Sequence, residues 1–228
     1  MRLSRDVRLR AKAVSYSASC VVVIDDDQEF RESLGRLLRA AGLDPRLFGS
    51  IAEFVGSDPP DGPTCLVLDV RLPGQSGLDF QRDLAAASVA LPIVFITGHG
   101  DIPMSVQAMK AGAIEFLTKP LREQDLFDAI NVGIARDRVR RDNDEALTAL
   151  KARFEVLTPR ERAVMFRVVE GRLNKQIAGE MGITESTVKV HRSNLMRKIN
   201  ARSVPELCRM LDKLKVLPVN PELGVRTA

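Results

Sequence analysis

The chain alternates short apolar runs with stretches of helical periodicity. Cys20 to Ile24 (CVVVI) and Cys65 to Asp69 are apolar runs bounded by turn residues or acids and read as strands buried on both faces, and Ile93 to Thr97 (IVFIT) and Ile114 to Leu117 read as two more strands. Arg46 to Phe48 reads as a further short strand. Between them fall helical patterns: Glu29 to Ala41 with Phe30, Leu34, Leu37 and Leu38 on one face, Ile51 to Val55, Leu78 to Ala87, and Ile102 to Ala111. Glycines 42 and 112 stop two of these helices, and another begins near Glu123. Five strands alternating with helices predict a parallel, doubly wound sheet covered on both faces.

The pattern changes after Ile134. A polar run, RDRVRRDNDE, carries neither Pro nor Gly before Leu157, which predicts an extended helical linker. Thr158-Pro159-Arg160-Glu161 is a capping box with proline at the first helical position, and Gly171 ends that helix. Asn174 is expected to cap a helix from Lys175 to Met181, Gly182 gives a left-handed stop, and Thr184 caps a third helix to about Ile199. Ser203 with Glu206 is read as another capping box, opening a fourth helix to Leu214. A short helix, a glycine turn and a longer basic helix predict a helix-turn-helix in a small all-α unit.

Charge sharpens the division. Residues 1–19 hold five basic side chains against one acidic, residues 20–150 are net acidic, and residues 151–228 hold sixteen basic against eight acidic. The basic end suits a phosphate-rich partner. No apolar run approaches the roughly 18 residues that span a bilayer, which predicts a cytoplasmic protein without membrane contact. The three cysteines, Cys20, Cys65 and Cys208, lack metal-ligand spacing and are expected as reduced, packed thiols. Aromatic residues are 4% of the chain and Trp is absent, which argues against an aromatic-lined ligand pocket.

Parallel topology places the strand ends on one edge. There the sequence supplies Asp25 and Asp26, Asp69, Thr97 and, just past the last strand, Lys119. Crowded carboxylates repel one another unless a cation binds, and an oxygen-only ligand set favours Mg²⁺. A fixed ammonium and a neutral hydroxyl beside them make a phosphoryl-transfer site with Asp69 as nucleophile.

The stretches VVVIDDDQEF, LVLDVRLPGQSGLDF, PIVFITGHGDIPMSVQAMKAGA and EFLTKP resemble the receiver domain of two-component response regulators. The resemblance implies that Asp69 is the phosphoacceptor, with Asp26 holding the metal directly, Asp25 holding it largely through water, and Arg71 offering its backbone carbonyl. It implies that Thr97 is the switch hydroxyl, Phe116 the switch aromatic and Lys119 the lysine that pairs with phosphate. Asp27 is expected to be a solvent-exposed residue near the helix start. Arg71 and His99 stand where a side chain could shield the acyl phosphate.

LTPRERAVMFRVVEGRLNKQIAGEMGITESTVKVHRSNLMRKINARS is similar to the LuxR-type DNA-binding domain. That similarity implies base contacts from Lys189, Val190 and Ser193, and phosphate contacts from Lys175, Thr187, Arg192 and Lys198. The expected organisation is an extension at 1–19, a receiver at 20–135, a helical linker at 136–156, a DNA-binding domain at 157–215 and a tail at 216–228. The extension is expected to be disordered. Receiver and output domain together predict a FixJ-like transcription regulator that is switched by a sensor histidine kinase, dimerises when phosphorylated and acts on promoter DNA with RNA polymerase. Its only catalysis would be its own phosphorylation and dephosphorylation. A LuxR-type regulator gated by a small ligand is the rival reading. A Mg²⁺ phosphatase is a second, weakened because Arg71 stands where such enzymes place a general acid.

Overall fold

The computed structural model describes residues 19–98 and 100–215. His99, the expected extension except Ser19, and the tail lie outside these residues. The chain divides into two compact units between Arg141 and Asp142.

The first unit is a parallel five-stranded sheet. Its strands are β1 (Cys20–Ile24), β2 (Asp44–Phe48), β3 (Thr64–Asp69), β4 (Ile93–Thr97) and β5 (Glu115–Thr118), in the spatial order β2-β1-β3-β4-β5. β1, β3 and β4 are buried along their whole length, as continuous apolar runs require. β2 begins two residues earlier than its apolar pattern indicates and includes Pro45, which an edge strand tolerates because one side of its ladder is unpaired. The helices between them are α1 (Gln28–Ala40), α2 (Ile51–Val55), α3 (Gly77–Ala86) and α4 (Ile102–Lys110), each within a residue or so of its predicted span. Alternate strand residues feed two cores. Val22, Ile24, Leu66, Leu68 and Phe95 lie on one face of the sheet, and Val21, Val23, Val67, Val94 and Ile96 on the other.

The chain reverses its winding direction between β1 and β3, and a crevice opens at that switch point beyond the carboxyl ends of the strands. β1 ends directly before Asp25, and β3 ends on Asp69.

α5 (Glu123–Glu155) is one unbroken helix of 33 residues, as the absence of Pro and Gly from the polar run predicts. Its Asp137, Arg140 and Arg141, which the sequence assigns to the linker, pack instead within the first unit. Asp137 is fully buried and accepts from the Thr64 amide at 2.9 Å, from Arg140 Nη2 at 2.6 Å and from Arg141 Nε at 2.7 Å.

The second unit contains α6 (Pro159–Val169), α7 (Asn174–Met181), α8 (Glu185–Ile199) and α9 (Val204–Leu214) around Leu157, Val164, Met165, Ile177, Val188, Leu195, Ile199 and Leu207. The Thr158–Glu161 capping box is reciprocal: the Glu161 amide donates to Thr158 Oγ1, and the Thr158 amide donates to Glu161 Oε2. Gly182, at φ 64°, turns the chain from α7 into the α8 cap Thr184. Two caps differ from expectation. Asn174 is the first helical residue rather than the cap; Leu173 precedes it, and its amide is taken by Gln176. Glu206 accepts from the Arg202 amide, so Ser203 caps α9 without the reciprocal bond.

Cys20, Cys65 and Cys208 are free thiols, and burial pushes Cys20 up to about 11 and Cys65 up to about 12. Among the described residues no helix is long and apolar enough to cross a membrane.

Candidate functional site

Parallel register brings Asp25, Asp69, Thr97 and Lys119 to one edge of the sheet, the arrangement their positions after successive strands predict. Lys119 joins them. Its Nζ donates to Asp25 Oδ2 at 2.6 Å and to Asp69 Oδ2 at 2.9 Å, and it lies 4.0 Å from the centre of the Phe30 ring. The remaining carboxylate oxygens are held by the backbone: Asp25 Oδ1 accepts from the Asp27 amide, and Asp69 Oδ1 from the Arg71 amide. Asp25 and Asp69 are buried, whereas Asp26 is exposed. Thr97 is fully buried at the end of β4, and its carbonyl accepts from the Lys119 amide at 2.8 Å. That bond fixes the backbone of the lysine against the strand carrying the hydroxyl.

Electrostatics follow from burial. Desolvation raises the Asp25 carboxyl above its ordinary value, and Lys119 only partly reverses the shift. Burial alone would lower the Lys119 ammonium, but the hydrogen bonds and charges of Asp25 and Asp69 raise it on balance. Lys119 therefore remains a cation. One ammonium faces three carboxylates, so the cluster is short of positive charge.

Oxygens of Asp25, Asp26 and Asp69 lie within 4.8 Å of one another, close enough to share one ion. A set of carboxylates with no His or Cys is the donor chemistry of Mg²⁺, so these residues fit that ion. The Asp27 carboxylate is not one of this set: it caps α1 by accepting from the Phe30 amide, as its position near the helix start implies. The sequence reading assigned Phe30 only to the core and missed Arg31, which donates to the Asp25 carbonyl. Both project from the first turns of α1, so only knowledge of how that helix lies on the sheet could reveal them.

Phe116, on β5, is half-buried and packs against the core beside Phe95, with ring centres 6.2 Å apart.

In the second unit, α8 buries Val188, Leu195 and Ile199 and turns Lys189, Val190 and Ser193 outward, so the three expected base-reading residues share an exposed face. Lys189 is exposed and lies 3.5 Å from Glu185, and Lys175 is exposed on α7. The other expected phosphate contacts are more enclosed. Thr187 bonds to Thr184 Oγ1, and Arg192 donates to Asn174 Oδ1 at 3.1 Å. Lys198 turns inward to the buried Glu161, whereas the neighbouring Arg197 is exposed.

Comparison with known protein families agrees with both halves. Residues 21–131 match the response regulator receiver domain, and residues 155–211 match bacterial regulatory proteins of the luxR family. Nodulation protein W of Bradyrhizobium diazoefficiens is 51% identical over 86% of this chain and 86% of its own. Transcriptional regulatory protein FixJ of Azorhizobium caulinodans is 40% identical over 88% of this chain and 95% of its own. The solved structure of response regulator StyR matches 86% of this chain and all of its own, with a TM-score of 0.79 and 49% identity. The receiver match supports the phosphorylation reading over the ligand-gated rival, because residues 21–131 are a receiver domain. The chain belongs to the FixJ-like response regulators, phosphorylation-activated transcriptional regulators in which a receiver domain precedes a LuxR-type DNA-binding domain.

Proposed function

We propose that Asp69 accepts a phosphoryl group from a sensor histidine kinase and that the resulting acyl phosphate drives DNA binding by α8. The observation that carries this reading is the simultaneous contact of Lys119 with Asp25 and Asp69 beside the exposed Asp26. A carboxylate oxygen of Asp69 attacks phosphorus, the new P–O bond forms as the P–N bond to the donor histidine breaks, and the imidazole departs with the electron pair. Lys119 is already beside the attacking group and meets the charge of the incoming oxygens without reorganisation. The Arg71 and Asp27 amides hold the two buried carboxylates in place. Mg²⁺ held by Asp25, Asp26, Asp69 and the Arg71 carbonyl would supply charge neutralisation at the transferring phosphoryl group. Hydrolysis of the acyl phosphate resets the protein, and this self-directed chemistry is its only catalysis.

Thr97 donates its hydroxyl to the new phosphoryl oxygens, and Phe116 moves with it, shifting an existing equilibrium toward a homodimer. Two copies then present two α8 helices to paired half-sites. Lys189, Val190 and Ser193 read base edges, while Lys175, Thr187, Arg192 and the exposed Arg197 meet phosphates. RNA polymerase is the partner at the promoter, and the cytoplasm, where DNA and polymerase reside, is the place of action.

The test is a gel-shift titration of promoter DNA with the full chain before and after treatment with acetyl phosphate and Mg²⁺. Treatment should tighten binding to promoter DNA in the wild type and leave Asp69→Asn unchanged. Equal gains in both proteins would reject the reading.

A further inference from the structure

A cleft of about 500 Å³ opens at the amino edge of the sheet, the edge opposite Asp69, where α3, the entry to β4, the end of α4 and α5 meet. Its volume falls within the roughly 300–1,000 Å³ of small-molecule sites. The walls are aliphatic: Leu84 from α3, Val89, Leu91 and Pro92 from the segment leading into β4, and Ala111 just beyond α4. Walls of this kind suit an apolar body, whereas the hydroxyls of a sugar or the phosphates of a nucleotide would lose water there without finding partners.

Two polar groups are placed to orient what enters. Gln81 is buried, and its Nε2 donates to the Ala108 carbonyl of α4 at 3.2 Å. That bond commits the amide nitrogen. The Oε1 acceptor has no hydrogen-bond partner among the described residues, yet it is not sealed from solvent, and the cleft is the opening that Gln81 lines. Arg136, from α5, is exposed at the mouth and has no ion-pair partner among the described residues. The carboxylate in the lining, Asp137, is already taken up by Arg140, Arg141 and the Thr64 amide. The mouth is therefore cationic, although residues 20–150 are net acidic. A buried acceptor that lacks a donor and a cation that lacks an anion, separated by aliphatic walls, define the complementary molecule.

We propose that this cleft is a binding site for a small organic acid: its apolar body lies between α3 and residues 89–92, its carboxylate pairs with Arg136, and a hydroxyl at its other end donates to Gln81 Oε1. The site is separate from the carboxylate cluster, so binding does not require that Asp69 be phosphorylated.

The probe is para-hydroxyphenylpropionate, titrated into the full chain in a calorimeter. It should bind at one site with a Kd below about 1 mM. Para-hydroxyphenylpropionamide, which lacks the charge, should bind roughly fivefold or more weakly, and Arg136→Ala should weaken the acid by a similar factor. The amide should lose less than about twofold on Arg136→Ala, because the interaction removed is the one with the carboxylate. Phenylpropionate, which lacks the hydroxyl, should bind roughly threefold more weakly than the probe. Ala85→Phe fills the cleft from an exposed position on α3 and should abolish binding while leaving the thermal melt unchanged. Absence of saturable binding, equal affinity for acid and amide, equal affinity for the probe and phenylpropionate, or full binding by folded Ala85→Phe would each overturn the proposal. If Ala85→Phe fails to fold, the comparison of acid and amide on wild type and Arg136→Ala decides: equal losses on the two ligands overturn the proposal, and a loss confined to the acid upholds it.

Discussion

Lys198 donates from Nζ to Oε2 of the buried Glu161 at 2.8 Å, tying the C-terminal end of α8 to the first turn of α6. Its charge therefore supports the domain. Removing it leaves Glu161 buried with only the Thr158 amide and hydroxyl as donors. Breaking a buried pair costs about 3–5 kcal/mol, and partial exposure of the lysine reduces this to about 1–3 kcal/mol for Lys198→Met. Urea unfolding of the DNA-binding unit should show that loss. Arg197→Ala should leave stability nearly unchanged but lower the salt slope of DNA binding by about one unit.

The same pair makes stability depend on pH. Burial would raise the Glu161 carboxyl, but the Lys198 ammonium and the Thr158 amide and hydroxyl outweigh it and hold the group below its ordinary value of 4.5. A carboxyl whose folded value is depressed stabilises fully above the unfolded value and loses that contribution as pH falls through the folded one. The second unit should therefore weaken below about pH 4.5, and Glu161→Gln should flatten that part of the profile. Thermal melts from about pH 6 to about pH 3 measure it.

How much of this was legible in the sequence varies with distance along the chain. The strands and the Asp25, Asp69, Thr97 and Lys119 edge were readable because a parallel sheet converts position after a strand into position in space. The α6 capping box and the Gly182 turn were readable because both are local chemistry. Lys198 was assigned outward because helical spacing distinguishes faces but cannot show that Glu161, 37 residues earlier, is buried opposite it. Asn174 and Arg192 face each other across the α7–α8 turn for a similarly nonlocal reason. Phe30 and Gly100 look like ordinary core and loop residues until packing sets them beside Lys119 and Phe116.

Asp137 gathers the Thr64 amide and two arginines at the opposite edge of the sheet from Asp69. Asp137→Ala leaves the buried Thr64 amide without its acceptor and removes the carboxylate that Arg140 and Arg141 share, and should cost the receiver about 2–4 kcal/mol, after discounting for the partly exposed arginines. Asp137→Asn, which keeps a carbonyl for the Thr64 amide, should cost less. Urea midpoints of the two variants give the comparison.

Gly77 touches the backbone of the proposed nucleophile: a Cβ there would stand 2.4 Å from the Asp69 carbonyl oxygen and 3.2 Å from Cε1 of Phe95. Backbone must shift to admit it. Gly77→Ala should destabilise the receiver by about 1–3 kcal/mol and slow labelling by acetyl phosphate roughly ten- to hundredfold, because displacement of a reacting group is costly. Parallel unfolding and labelling measurements at a temperature where the variant is folded separate the two effects.

The central claim is that Asp69 is the residue that takes the phosphoryl group. Radiolabelled acetyl phosphate with Mg²⁺, applied to the full chain, measures this directly through incorporation and the acid-stable, base-labile character of the bond formed. Wild type should be labelled, Asp69→Asn should incorporate nothing because an amide cannot act as the nucleophile, and Asp26→Asn should require more Mg²⁺ for the same rate. Labelling of Asp69→Asn at the wild-type rate would contradict the account.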